Sequence, residues 1–184
     1  AGNQLQRYSI QDRYYILPNL KGIDYKEIAF EGLKILIKRI DTRIEGTFTK
    51  SKLFAFNTVY SIYGNQSENN YLSSLAVLNS KLMKFYYEFS YNVGMNLTTQ
   101  VTIDFLSKIP IHLPSPAQEK KIVDLVNQML SLQKKYHDEK IGGNEKERLK
   151  QQIDNTDYEI DEEIYKLYGI TSEEKKIIEE SLGK

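Results

Sequence analysis

Hydrophobic and polar positions along this chain of 184 residues change period twice, and the changes mark out its elements. Up to residue 30 two short strand-like pieces stand out, residues 13–17 and 28–30, separated by the turn residues Pro18, Asn19, Lys21 and Gly22. Residues 34–40, KILIKRI, are β-rich and too short for a helix; residues 42–50 follow as a turn and a returning hairpin strand. Residues 54–63, FAFNTVYSIY, carry apolar or aromatic side chains on both faces, which predicts a central strand. After the polar loop 64–70 the spacing shifts to three and four. Leu72, Leu75, Ala76, Asn79, Leu82, Met83, Tyr86 and Phe89 predict one amphipathic helix over 71–89, ended by Asn92 and Gly94. Residues 95–105 read as a polar loop or strand, and 106–113 as extended chain.

The second change comes at Ser115. Its hydroxyl is an N-cap, Pro116 takes the first helical position, and Gln118 is placed to close a capping box. Ile122, Leu125, Val126, Met129, Leu132 (or Leu130) and Tyr136 trace one stripe, which Gly142 and Gly143 interrupt. Leu149, Ile153, Thr156, Ile160, Ile164 and Leu167 trace a second over 145–168. Two stripes of matched length joined by a short turn predict an antiparallel hairpin. Gly169 is a C-cap, and Thr171 with Glu174 opens a short last helix. The expected fold is α+β: a mixed α/β body over residues 1–113, then a two-helix hairpin and terminal helix over 114–184. A two-helix hairpin alone is marginal, so it should pack on the body or on another chain.

Charge sharpens this division. The chain is neutral overall, yet residues 1–113 carry 13 Lys/Arg against 9 Asp/Glu, and residues 114–184 carry 12 against 16. Within 34–52, Lys34, Lys38, Arg39, Arg43, Lys50 and Lys52 face only Asp41 and Glu45, which accounts for the whole basic excess. A basic body beside an acidic scaffold suits a nucleic-acid reader; a solvated, Lys-rich hairpin would give the same count. There is no Cys, hence no disulfide frame, thiolate metal site or thiol nucleophile, in keeping with a cytoplasmic protein. No apolar stretch is long enough to span a membrane. The start, AGNQLQRY, has neither an initiator Met nor the regions of a signal peptide, and reads as a piece cut from something longer.

Catalytic motifs are missing. His112 and His137 have no second ligand at metal spacing, which leaves them structural or surface roles. Glu31 and Lys34 near Asp24 faintly resemble a nuclease constellation, but the spacing to the lysine is one residue too long. Gly32, Gly46 and Gly64 are isolated, so there is no phosphate-cradling loop. The Asn/Asp-Pro-Pro-Tyr/Phe motif of an amino-methyltransferase is absent, since all four prolines stand alone. The acidic cluster 157–163 is expected to form a solvated helix face.

Three segments resemble restriction–modification specificity proteins. They are KILIKRI with the strand ending TVYSIYG, the helix YLSSLAVLNSKLMKF with its Leu-Asn79-Ser80-Lys81-Leu, and residues 94–100 joined through IPIHLPSPAQEKKI to YKLYGITSEEKKII. The run LSKIPIHLPSPAQEKKIVDLV resembles the boundary between a DNA target-recognition domain and its spacer helix in type I specificity subunits. It is also similar to the TaqI-like C-terminal specificity domain of single-chain restriction–methylation enzymes, and the tail resembles theirs more closely.

The resemblance implies a module that recognises double-stranded DNA by sequence and is not itself an enzyme. S-adenosylmethionine and Mg²⁺ would belong to a catalytic methyltransferase or endonuclease region outside this chain, held at a fixed distance by the hairpin. Candidate DNA-binding residues are Lys38, Arg39, Arg43, Lys50 and Lys52 for phosphates or guanine, Asn57 and Tyr60 on the adjacent strand, and Asn96, Thr98, Thr99 and Gln100 for base edges. Asn79, on the inner helix face, is expected to cap a neighbouring loop. The competing expectation is a protein–protein assembly module in which the hairpin pairs between chains.

Overall fold

A computed structural model describes residues 5–10, 32–53, 58–90, 99–138 and 140–183. The strand-like pieces expected at 13–17 and 28–30, with Asp24 and Glu31, lie outside the described residues. Strands β1 (Leu5–Gln6) and β2 (Ser9–Ile10) form a tight hairpin. Next comes β3 (Lys34–Lys38), flanked antiparallel by β5 (Gly46–Thr49) and β6 (Val59–Tyr63) in the order β5-β3-β6. Between β3 and β5 lies β4 (Ile40–Asp41), which pairs with β7 (Thr99–Gln100). The returning strand predicted within 42–50 is β5. Among the described residues β6, predicted as central, has a neighbour on one side only, and its residues are exposed or half-buried; residues 54–57 of the predicted strand lie outside the described residues. The buried centre is β3, where Lys34, Ile35, Leu36 and Ile37 all lose contact with water.

The single helix predicted over 71–89 is two helices, α1 (Glu68–Asn79) and α2 (Lys81–Ser90). Ser80 divides them by turning extended, at φ −70° and ψ 159°. Its hydroxyl donates to Val77 O at 2.8 Å and accepts from Met83 N–H at 3.1 Å. A serine that supplies its neighbours' backbone partners competes with the helical ladder and starts a new helix. The hydrophobic spacing runs through the break unchanged, which is why it read as continuous. A short helix, α3 (Ile103–Lys108), replaces the loop and extended chain expected there. Thr102 caps it, Asp104 pairs with Lys108, and Phe105 is buried beneath it.

The hairpin forms as predicted from α4 (Pro116–Tyr136) and α5 (Gly143–Leu167), followed by α6 (Ser172–Leu182). Gln118 reaches back to the Ser115 N–H at 3.2 Å, and Thr171 and Glu174 exchange both hydrogen bonds of a capping box. Gly169 takes φ +66°, the left-handed conformation that closes a helix most easily without a Cβ.

Helix α1 lies between the sheet and the hairpin, touching β3 and β5 on one side and α4 on the other. Tyr71, Leu72, Leu75, Ala76, Val77 and Leu78 are all buried, so α1 is covered all round. One apolar core runs from Tyr8 and Ile35 through α1 to Ile122, Met129, Ile160 and Ile164. The apolar stripes of α4 and α5 are thus spent within the chain, on each other and on the body.

Candidate nucleic-acid interface

The basic run does not gather into one patch, which corrects the expectation drawn from its charge. Lys34 sits fully buried in β3 and leaves the surface altogether. Thr49 pairs with Lys34 at one end of the sheet, while Lys38 lies four residues along β3, about 13 Å away at strand rise. Lys50 and Lys52 therefore occupy the end opposite Lys38 and Arg43. Both are exposed, and Lys50 pairs with Glu68 at 2.7 Å.

Lys38 and Arg43 are held by the two acids of the same run. Lys38 Nζ lies 2.5 Å from Asp41 and 3.4 Å from Glu45, and Arg43 lies 3.0 Å from Glu45. Burial works against the Lys38 charge, but hydrogen bonds and charge from Asp41 and Glu45 outweigh it and raise its pKa. Burial likewise pushes Asp41 up, and the Lys38 and Thr42 hydrogen bonds pull it below the usual carboxylate range. Gln6, Arg7 and Gln133 complete an open polar hollow around this group. The spacing of Lys38 to Asp41 was readable in the sequence. Arg7 and Gln133 carry no local signal, because only the tertiary fold brings them in.

A second constellation forms at Arg39, between β3 and β4. Its N–H donates to Thr58 O at 3.0 Å and its carbonyl accepts from Val101 N–H at 2.8 Å, so two remote segments fix its backbone. The guanidinium lies over the Tyr60 ring, 5.6 Å from its centroid. With the Gln100 amide turned so that its oxygen faces Arg39, the orientation its surroundings favour, that oxygen accepts from Arg39 Nη2 at 2.6 Å and Nε at 2.9 Å. Gln100 is exposed, and Arg39 and Tyr60 are half-buried. Thr99 contributes its backbone, paired with Asp41. Of the other candidates, Asn57, Asn96 and Thr98 lie outside the described residues.

Asn79 does what its place on the inner helix face predicts. Its Oδ1 accepts from Gly46 N–H at 2.9 Å and its Nδ2 donates to Gly46 O at 3.0 Å, pairing like another strand residue at the start of β5. Residues 1–111 match the family model of the TaqI-like C-terminal specificity domain. The chain belongs to that family. Membership in this specificity-domain family points to sequence-specific DNA recognition within restriction–modification. Among curated proteins, no sequence matches the chain. The match covers the sheet, α1, α2 and α3, so every described candidate contact of this specificity domain falls inside it.

The acidic cluster 157–163 is not the solvated face expected of it. Asp157 forms a two-pronged pair with Arg7. Asp161, 1% exposed, accepts from the Lys81 N–H at 2.8 Å, at the positive end of α2. Glu163 pairs with Lys121 at 2.8 Å and Lys166 at 2.7 Å, and Glu162 with Lys175 at 2.5 Å. These contacts fasten α5 to the body, to α4 and to α6. The two histidines end in structural places: His112 stacks near Tyr168, and His137 closes α4. No described helix is long and apolar enough to cross a membrane.

Proposed function

We propose that this chain recognises double-stranded DNA by sequence on behalf of a restriction–modification protein, without catalysing a reaction itself. The match of residues 1–111 to a specificity-domain family carries the reading. The body bears the Arg39 constellation and the exposed Lys50 and Lys52, groups suited to base edges and phosphates. The hairpin portion, with its net acidic charge, suits contact with a catalytic methyltransferase or endonuclease region better than contact with DNA. An assembly role for the hairpin is less well supported, because its apolar stripes are already buried within the chain.

Selection of duplexes from a randomised pool, followed by titration at several salt concentrations, tests this. A preferred sequence should emerge, and its affinity should fall steeply as salt rises, with a slope of about −0.9 per phosphate contacted. Replacing Lys50 and Lys52 by Ala should flatten that slope and leave sequence preference intact. The chain alone should neither transfer methyl groups from S-adenosylmethionine nor cut DNA with Mg²⁺. Enrichment of no sequence over the starting pool would refute the reading.

A further inference from the structure

We propose that Arg7, at the tip of the β1–β2 hairpin, couples DNA binding by the body to the seating of α5, with Asp157 as its partner across the joint. This rests on the DNA-recognition reading above and adds a route by which the helical hairpin responds to bound DNA. The tip, Arg7 and Tyr8, joins the two parts. On one side both terminal nitrogens of Arg7 grip the two oxygens of Asp157, the Nη1 contact at 3.0 Å. On the other, the Tyr8 N–H donates to Gly46 O at 2.9 Å, the carbonyl that also accepts from Asn79. Just before Gly46, Glu45 O accepts from the Lys38 N–H at 2.9 Å, and its carboxylate holds Lys38 and Arg43. Beyond Gly46, β5 runs to Thr49 and delivers the exposed Lys50. Hydrogen bonds thus lead without a gap from α5 to the strand that carries Lys50.

The seated joint is only narrowly favoured. Tyr8 takes φ +59°, a left-handed backbone that a side chain makes costly. Such strain persists only where surrounding contacts over-determine it. Among the described residues, Arg7 Nε, Asp161 Oδ2 and Tyr165 Oη are buried with no hydrogen-bond partner. All three stand at this joint, where the charge of Asp161 acts on both Arg7 and Tyr165. Groups that give up water without gaining a partner offset much of what the Arg7 pair contributes. From α2, the Lys81 N–H closes the same joint by donating to Asp161 at 2.8 Å. A tip strained in its own backbone and gripped from both sides has two positions, seated and released, and the body and α5 bias the same equilibrium. Arg7 and Asp157 act through it as positioning residues. Their side chains are 17% and 26% exposed, and each is spent on the other.

The test uses the full chain and the duplex it prefers from a randomised pool. Hydrogen exchange is followed at the Tyr8 and Lys81 N–H groups, the two amides that the joint protects. Excess duplex should slow both about tenfold, within the usual range of coupling between sites, and the factor should level off once the protein is saturated. Slowing that keeps growing with free duplex is the signature of global unfolding, not of a separate joint, and overturns the coupling. Exchange that the duplex leaves unchanged overturns it too. By reciprocity, releasing the joint should weaken binding by up to the same factor. Asp157→Asn, which keeps the shape and loses the grip, should therefore bind the preferred duplex more weakly, with an unchanged salt slope. Removing an acid would by itself favour DNA, so the expected change has the opposite sign to plain electrostatics. Arg7→Lys, which keeps the charge but not the fork, should weaken binding in the same direction. A folded Asp157→Asn that binds as tightly as the parent, or more tightly, overturns the proposal. The exchange arm uses unmodified protein and decides the matter if a variant does not fold. If no duplex is preferred, the recognition reading falls and the coupling with it. If one is preferred but neither amide responds, only the coupling falls.

Discussion

At the scale of single residues, the most consequential contact is the pairing of Asn79 with Gly46. Both hydrogen bonds are buried, and replacing Asn79 by Ala would leave a backbone N–H without its partner and weaken the start of β5. Loss of a buried partner costs about 1–3 kcal/mol. Asn79→Ala should therefore lower the free energy of unfolding by that amount, seen as a lower urea midpoint at constant slope, and a shift near zero would contradict the role. A side chain at Gly46 would be tight: its Cβ would lie 3.2 Å from Leu75 Cδ1 and 3.4 Å from the Leu36 carbonyl, so Leu75 would have to give by a few tenths of an ångström. Asp161 makes a pH-dependent contribution. Burial raises its pKa above the usual aspartate range, against the pull of the Lys81 hydrogen bond, and among the described residues its Oδ2 meets the Lys81 ammonium at 3.5 Å and no hydrogen-bond donor. The folded state thus holds that proton more tightly than the unfolded one. The stability this contributes is fully present below the ordinary aspartate range and is lost as pH rises through the raised value. Asp161→Asn keeps an acceptor for the Lys81 N–H and removes the charge. It should be at least as stable as the parent at neutral pH, with the difference shrinking as the solution is acidified. Denaturation midpoints across pH check this, and a variant clearly weaker at neutral pH would exclude it.

At the scale of elements, the junction between α1 and α2 shows how one polar residue sets architecture. Ser80 caps α2 and terminates α1, so Ser80→Ala should cost about 1 kcal/mol. It should also weaken amide-exchange protection first in the turn around Met83, which exchange measurements resolve. The same junction marks where the sequence was legible and where it was not. Periodicity and caps located α4, α5 and the start of α6 to within two residues, because caps and stripes are local features. Helix α3 escaped notice because one buried ring, Phe105, is too little to establish a period. That β6 has one neighbour among the described residues could not be read from its aromatic residues, since a half-buried edge and a central position give similar composition. Charge was the least legible property. A count over 34–52 gave a basic excess, but Lys34 went into the core and Lys38 and Arg43 found acids close by. On α5 the acids that looked solvated met Arg7, Lys81 and Lys121 from distant parts of the chain. Of the candidate contacts, the Arg39, Tyr60 and Gln100 residue types were legible, but their convergence depends on pairing across 61 positions of sequence.

At the scale of the whole molecule, the charge division at residue 113 does not coincide with a division of the core. Removing the hairpin would strip cover from α1 and break the ties of Asp157 to Arg7 and of Asp161 to α2. Deleting residues 114–184 should therefore abolish cooperative unfolding of the remainder, even though the family match ends at 111. A truncated chain with a sharp two-state transition would show that the body stands alone. The far end of the hairpin behaves differently. Between Leu132 and Leu149 no described residue is fully buried, so the last turns of both rods and the bend between them add little to the shared interior. Exposed backbone of this kind accepts insertions readily. A short reporter peptide grafted at Gly142 should move the melting temperature by less than about 2 °C and leave DNA preference untouched. The molecule thus carries a built-in handle at its tip, from which a label or tether could report on the recognition surface without disturbing it.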